Sequence, residues 1–181
     1  MVRRLAMIAL AGCATGTSAS LDSPFSDCDA EADLGRARVA TETYDNDVVA
    51  IADGFAPQDG CDVDPFGAVM GIHYVRVGSS LDQEVDVEAP DALLYVPYGD
   101  GVRLVGIEYV RPALIDGRAV FDAPTDPDSF DPPPSLFCRS FDGPMEGHVP
   151  GQPWHHDLHV WMWRENPSGY FEQYNSALSC P

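Results

Sequence analysis

The sequence predicts an α+β fold, an antiparallel β-sheet or partly closed barrel with an N-terminal helix packed on it. Three observations carry this. Apolar residues recur at helical spacing before residue 56, they follow strand-like patterns in four later segments, and turn residues rather than further helical stretches join those segments. About 160 residues remain after a short leader, enough for a single domain with a substantial core.

The chain opens with Arg3 and Arg4 before a short apolar stretch that ends Leu10-Ala11-Gly12-Cys13. This resembles a bacterial or archaeal lipoprotein signal, which implies a signal peptide over 1–12 and a lipidated Cys13. Arg3-Arg4 also fits the start of a twin-arginine export signal. A cytosolic chain with an accidental apolar start is the competing reading. From 13 to 32 the residues are small, polar and acidic, as in a tether between lipid and domain. The single globular domain is expected over 33–181.

Ala40, Tyr44, Val48, Ile51 and Phe55 place a helix over about 33–53, with Gly54 as its stop and those five residues facing the core. Strand candidates follow at Ala68–Val77, Asp91–Pro97, Val102–Val110 and Leu158–Trp163. The second and third flank Tyr98-Gly99-Asp100-Gly101 and predict a hairpin with an Asp-Gly turn. Asp122–Pro134, rich in Asp and Pro, reads as a long surface loop, and Asn166–Tyr174 as a short closing helix.

Composition adds an environment. The chain has 29 acidic residues against ten basic ones, all ten of them Arg, for a formal charge of −19. The value becomes about −21 once Arg3 and Arg4 leave with the leader. Such a surface repels nucleic acid and anionic head groups, so nucleic-acid binding is excluded and membrane contact is expected only through the lipid anchor. An Asp-rich, Lys-free surface resembles proteins of halophiles, where salt screens the self-repulsion; a GC-rich genome would account for the missing Lys but not for the carboxylates. Apart from Cys13, four cysteines remain: Cys28, Cys61, Cys138 and Cys180. In an oxidising compartment they form two disulfides in one of three connectivities, and the longest loops favour Cys61–Cys180 with Cys28–Cys138. There is no C-x-x-C pair to suggest a thiolate metal site.

No phosphate-binding loop, dinucleotide fingerprint or G-x-S-x-G elbow is present, so nucleotide chemistry and serine nucleophiles find no support. Chemistry-bearing residues concentrate elsewhere. Four of five histidines lie between His148 and His159, and imidazole is the commonest metal ligand. His73, Glu108 and His159 each interrupt an apolar strand, where an unpartnered titratable group costs several kcal/mol. Period-2 geometry puts His159, Trp161 and Trp163 on one face, His73 with Val75 and Val77, and Glu108 with Gly106 and Val110.

If those faces converge, two imidazoles and a carboxylate form a set that holds zinc or iron with a coordination position open; His148, His155, His156 and Asp157 are candidates for further ligands or a general base from a loop. The competing reading is a buried His–Glu hydrogen-bond network that fixes strand register without metal. Trp154, Trp161 and Trp163 read as core and rim aromatics rather than a sugar platform, and Asp126–Asp131 as a solvated acidic loop rather than a calcium site.

The blocks Gly71-Ile-His73-Tyr, Asp91-Ala-Leu-Leu-Tyr-Val-Pro, Arg103-Leu-Val-Gly-Ile-Glu108-Tyr, Leu158-His159-Val-Trp-Met-Trp and Asn166-Pro-Ser-Gly…Cys180 resemble those of a family of exported bacterial and archaeal (lipo)proteins, over roughly 39–181. The resemblance brings no activity with it. It implies that His73, Glu108 and His159 belong to shared blocks, that His148, His155 and His156 lie in a more variable stretch, and that Cys61 and Cys180 fall within the blocks. The functional expectation is an exported, lipid-anchored binding module for an extracellular ligand, with a His/Glu pocket suited to a divalent metal. The alternatives are a metal-dependent hydrolase or oxygenase using the same residues, and a purely structural envelope protein.

Overall fold

A computed structural model describes residues 28–58, 60–78 and 84–180. The leader and Cys13 lie outside the described residues. The fold is α+β, as expected, with a mainly antiparallel sheet that stays open rather than closing into a barrel.

The N-terminal helix is not one piece. Helix α1 spans Ala30–Thr41, starting where the Asp29 side chain accepts from the Ala32 N–H. A 3₁₀ turn, Glu42–Asp45, leads to helix α2, Asp47–Ala52, whose first turn is capped in the same way by Asn46. This break shifts the helical phase. Val48 and Ile51, expected in the core, are 67% and 49% exposed, whereas Ala37, Thr41 and Ala50 are fully buried.

Among the described residues eleven strands follow: β1 (Phe55–Pro57), β2 (Asp62–Val63), β3 (Val69–Arg76), β4 (Ala92–Tyr98), β5 (Gly101–Pro112), β6 (Leu114–Ile115), β7 (Arg118–Ala119), β8 (Ser135–Leu136), β9 (Arg139–Ser140), β10 (Asp142–Met145) and β11 (His155–Val160). The main sheet runs β1-β3-β4-β5-β11-β10, with β2 added to β3. The short pairs β6–β7 and β8–β9 are separate hairpins. The β4–β5 hairpin forms as expected, except that Tyr98 pairs with Gly101 and the turn residues are Gly99 and Asp100, with Gly99 at φ 59°.

Register sorts side chains onto two faces. Tyr74, Leu93, Tyr95, Ile107, Tyr109, Leu158 and Val160 project toward the helices and form the larger core with Ala37, Ala50 and Phe55. On the opposite face Val69, Leu94, Val96, Val105 and Trp161 form a smaller one. A bulge in β5 serves both. Leu94 pairs with Gly106 and Tyr95 with Leu104, which leaves Val105 as the extra residue and lets Leu104 and Ile107 reach the same face.

The last strand ends at Val160, earlier than expected, so Trp163 leaves the face of His159. It packs on the larger core beneath the Arg38 guanidinium, 4.3 Å from the ring centroid. Residues 166–174 form turns rather than the expected helix. Pro167 and Gly169 disfavour helix, and Asn166 organises the turn by accepting from the Ser168 N–H and donating to the Tyr174 carbonyl. This segment is tied to the sheet through paired backbone hydrogen bonds between Val69 and Asn175, of 3.1 and 2.8 Å. The disulfide Cys61–Cys180 fastens it again, and Cys28–Cys138 is the second bridge; their Cα separations are 6.0 and 5.6 Å.

Candidate metal centre

On the sheet face turned away from the helices, strand register gathers the polar residues into one cluster. His159 on β11 lies directly opposite Glu108 on β5, Glu108 opposite Ala92 on β4, and Ala92 opposite Val75 on β3. His73, two residues before Val75, shares that face. Ala92 is small enough for side chains from β3 and β5 to meet above it. His73 Nε2 stands 3.4 Å from one Glu108 carboxylate oxygen, and His159 Nε2 stands 3.8 Å from the other. Three donor atoms, one per residue, lie within 4.8 Å of one another.

The cluster is dry. The side chains of His159, Glu108 and His73 are 1%, 7% and 17% exposed. Burial drives the imidazoles toward their neutral forms: His73 is lowered to about 4, and His159, with nearby imidazoles adding to the effect, to about 3. The Glu108 carboxyl is pushed well above the ordinary range by burial first, then by Asp157 and Asp91. Asp157 rises to about 7 for the same reason, with Asp142 contributing.

A closed His–Glu network would hydrogen-bond these groups to one another, yet neither ring nitrogen of His159 has a hydrogen-bond partner, nor does either oxygen of Asp157. Donors bound tetrahedrally at zinc distances stand roughly 3.3 Å apart. The Glu108 contacts already approach that spacing. Neutral imidazoles are the form that zinc or iron(II) ligation requires, whereas Glu108 would give up, on ligation, the proton that burial favours. The residues therefore fit a divalent ion.

The cluster opens onto a cavity of about 880 Å³. Gln58, Cys61 and Asp62 line one side, Gln173 and Tyr174 of the C-terminal segment another, and the 148–152 loop a third. Five expected or candidate participants sit apart from the cluster. His148 is an exposed rim residue whose ring packs edge-on against His155 at 4.8 Å. His156 points to the helix-bearing face with Leu158 and contacts the Asp142 carbonyl at 3.3 Å. Trp154 stacks on Phe130, and Trp161 is buried with its indole N–H bonded to the Glu172 carbonyl, so the tryptophans form no common platform. Asp126 caps a short 3₁₀ turn.

Asp157, expected as an extra ligand or general base from a loop, lies instead on β11, where period-2 alternation puts it on the face of His159. The cavity residues Gln58, Gln173 and Tyr174 gave no signal, because only tertiary packing brings their loops together. An open antiparallel α+β domain with a two-histidine, one-carboxylate cluster on its less covered face is what fold and site define. Comparison with known protein families, with characterised proteins and with solved structures finds no match.

Proposed function

We propose that this chain is an exported, lipid-anchored acidic protein that holds one divalent ion, zinc or iron(II), on His73, Glu108 and His159, and uses it to bind an extracellular ligand. The lipoprotein-like leader and the two disulfides, which fit an oxidising environment, support export. The acidic, Lys-free composition supports a high-salt setting. One observation carries the metal reading. His159 is fully enclosed with both ring nitrogens unsatisfied while its Nε2 faces Glu108, a costly arrangement that a bound cation resolves.

The cavity also constrains the ligand. Asp62, Asp91 and Glu108 are among its lining residues, but Asp91 is ion-paired with Arg111 at 2.5 Å and Glu108 is assigned to the ion. An uncharged molecule would meet the amides of Gln58 and Gln173 and the Tyr174 hydroxyl there.

A second reading has its own support. Three protein donors leave a position open toward the cavity, the arrangement of catalytic rather than structural zinc. A bound ion there would supply metal-activated water, favouring hydrolysis. A purely structural role predicts Glu108 bonded directly to an imidazole beneath a filled pocket, which the cavity and the 3.4 and 3.8 Å separations do not favour.

The test is elemental analysis of untagged protein from its exported fraction, beside His73→Ala and His159→Ala. One near-stoichiometric metal, lost in both variants while the fold persists, is expected. No metal in the wild type after reconstitution with zinc and with iron(II) rejects the proposal.

A further inference from the structure

Behind the three-residue cluster lies a buried carboxylate that those three roles do not use. Asp157 is 1% exposed, both its oxygens lack hydrogen-bond partners, and Oδ1 stands 4.0 Å from His159 Nδ1. The two rings of contact are separate: Nε2 of His159 faces Glu108, and Nδ1 faces Asp157. A metal ion on the Nε2 side is thus out of reach of a carboxylate that sits on the Nδ1 side. Metal-bound histidines donate their other ring N–H to such a carboxylate, which fixes the tautomer, holds the ring plane and makes the ligating nitrogen more basic.

We infer that Asp157 is the positioning residue of this centre, accepting the Nδ1–H of His159 so that Nε2 is the atom presented to the ion. The inference rests on the metal reading above and assigns a group that it leaves idle. Strand geometry makes the partnership a built feature. Asp157 and His159 are i and i+2 on β11, hence on one face, and both are paired with β5, through Val110 and Glu108. A shift of about 1 Å brings the 4.0 Å separation into hydrogen-bond range. The negative charge of Asp157 also offsets the ion's charge within a largely buried site.

The test is zinc titration of the full chain by competition with a chromophoric chelator, at fixed pH and salt, for wild type, Asp157→Asn, Asp157→Ala and His159→Ala. Zinc affinity is expected to fall 10- to 100-fold in both Asp157 variants, less for Asn, which keeps an acceptor oxygen, with one ion still bound. The low-field Nδ1–H proton signal of His159 in the zinc-loaded wild type is expected to shift in Asp157→Asn and to vanish by exchange in Asp157→Ala. A merely structural role moves the melting temperature and leaves affinity and that signal alone.

If Asp157→Ala fails to fold, the near-isosteric Asn variant decides. Unchanged affinity in Asp157→Asn, with loss in His159→Ala, overturns the positioning role and leaves the metal centre standing. Loss in Asp157→Asn as complete as in His159→Ala makes Asp157 a ligand and overturns it also. Failure of the wild type to bind zinc overturns this inference together with the metal reading.

Discussion

His159 and Glu108 are directly opposed across neighbouring strands, and their side chains meet at 3.8 Å in a position that is almost fully buried. Cross-strand opposition is the closest approach a sheet offers two side chains. Here it joins an imidazole that burial keeps neutral to a carboxyl that burial pushes toward its protonated form. Without a cation such a pair is a burden on the fold, so site and stability pull against each other.

That conflict predicts a trade in Glu108→Gln. The folded-state titration of Glu108 is raised, so its contribution to stability is present at low pH and lost as pH rises above the ordinary carboxylate range. Removing the ionisable group should make metal-free protein more stable at pH 8 by about 1–2 kcal/mol, while zinc binding is lost. Urea unfolding in the presence of a chelator, with a parallel zinc titration, checks both halves. A destabilised Glu108→Gln would show that the carboxylate supports the metal-free fold.

His155 gives a pH prediction that stays clear of the three proposed ligands. Burial, followed by the neighbouring His148, lowers it to about 4 from 6.5. Between those values the unfolded chain takes up a proton that the folded chain refuses, so His155 subtracts stability as pH falls. Asp157, raised from 3.8 to about 7, acts in the opposite sense, because its contribution is lost as pH rises toward 7. Replacing His155 by Gln should therefore flatten the acid side of the curve by one proton, about 1.4 kcal/mol per pH unit. Unfolding of metal-free wild type and variant at pH 7, 6 and 5 measures this, and parallel curves would contradict it.

Gly106 sets how closely β5 and β11 can carry the cluster. A Cβ there would stand 2.9 Å from the Val160 carbonyl oxygen and 3.3 Å from the Trp161 ring, in a packed layer. Gly106→Ala should cost about 1–3 kcal/mol and, two residues from Glu108, weaken zinc binding as well. Calorimetry and zinc titration on the one variant would show both effects, and an unchanged melting temperature would count against this packing.

What the sequence made legible follows from locality. The strands around His73, Leu94 and Glu108 announce themselves because alternation is a local pattern, and the same pattern marked three titratable residues as out of place. The helix break at Asn46 is visible only in hindsight, since Val48 and Ile51 continue an apolar spacing that the 3₁₀ turn interrupts. The bulge at Val105 was hidden for a related reason: one extra residue changes which face each neighbour occupies without changing composition. Trp163 was assigned to the face of His159 because the apolar alternation runs past the strand end at Val160. The cavity walls depend on where the 148–152 loop and the C-terminal segment come to rest, a long-range outcome that no short pattern encodes.

The two disulfides should separate stability from function. Cys61 lines the cavity, and its partner Cys180 ends the segment that supplies Gln173 and Tyr174, whereas neither Cys28 nor Cys138 borders it. Each bridge closes a loop of more than 100 residues, with sequence separations of 110 and 119, so removing either should cost about 2–5 kcal/mol. Only one loss should reach the pocket. In Cys61→Ser/Cys180→Ser the C-terminal segment keeps the Val69–Asn175 backbone pair but loses its covalent end, and ligand affinity should fall by more than stability alone explains. Cys28→Ser/Cys138→Ser should melt earlier and bind zinc as the wild type does. Equal zinc affinity and equal cavity-ligand affinity in the two variants, at a temperature where both are folded, would show that the C-terminal segment holds its place without the bridge.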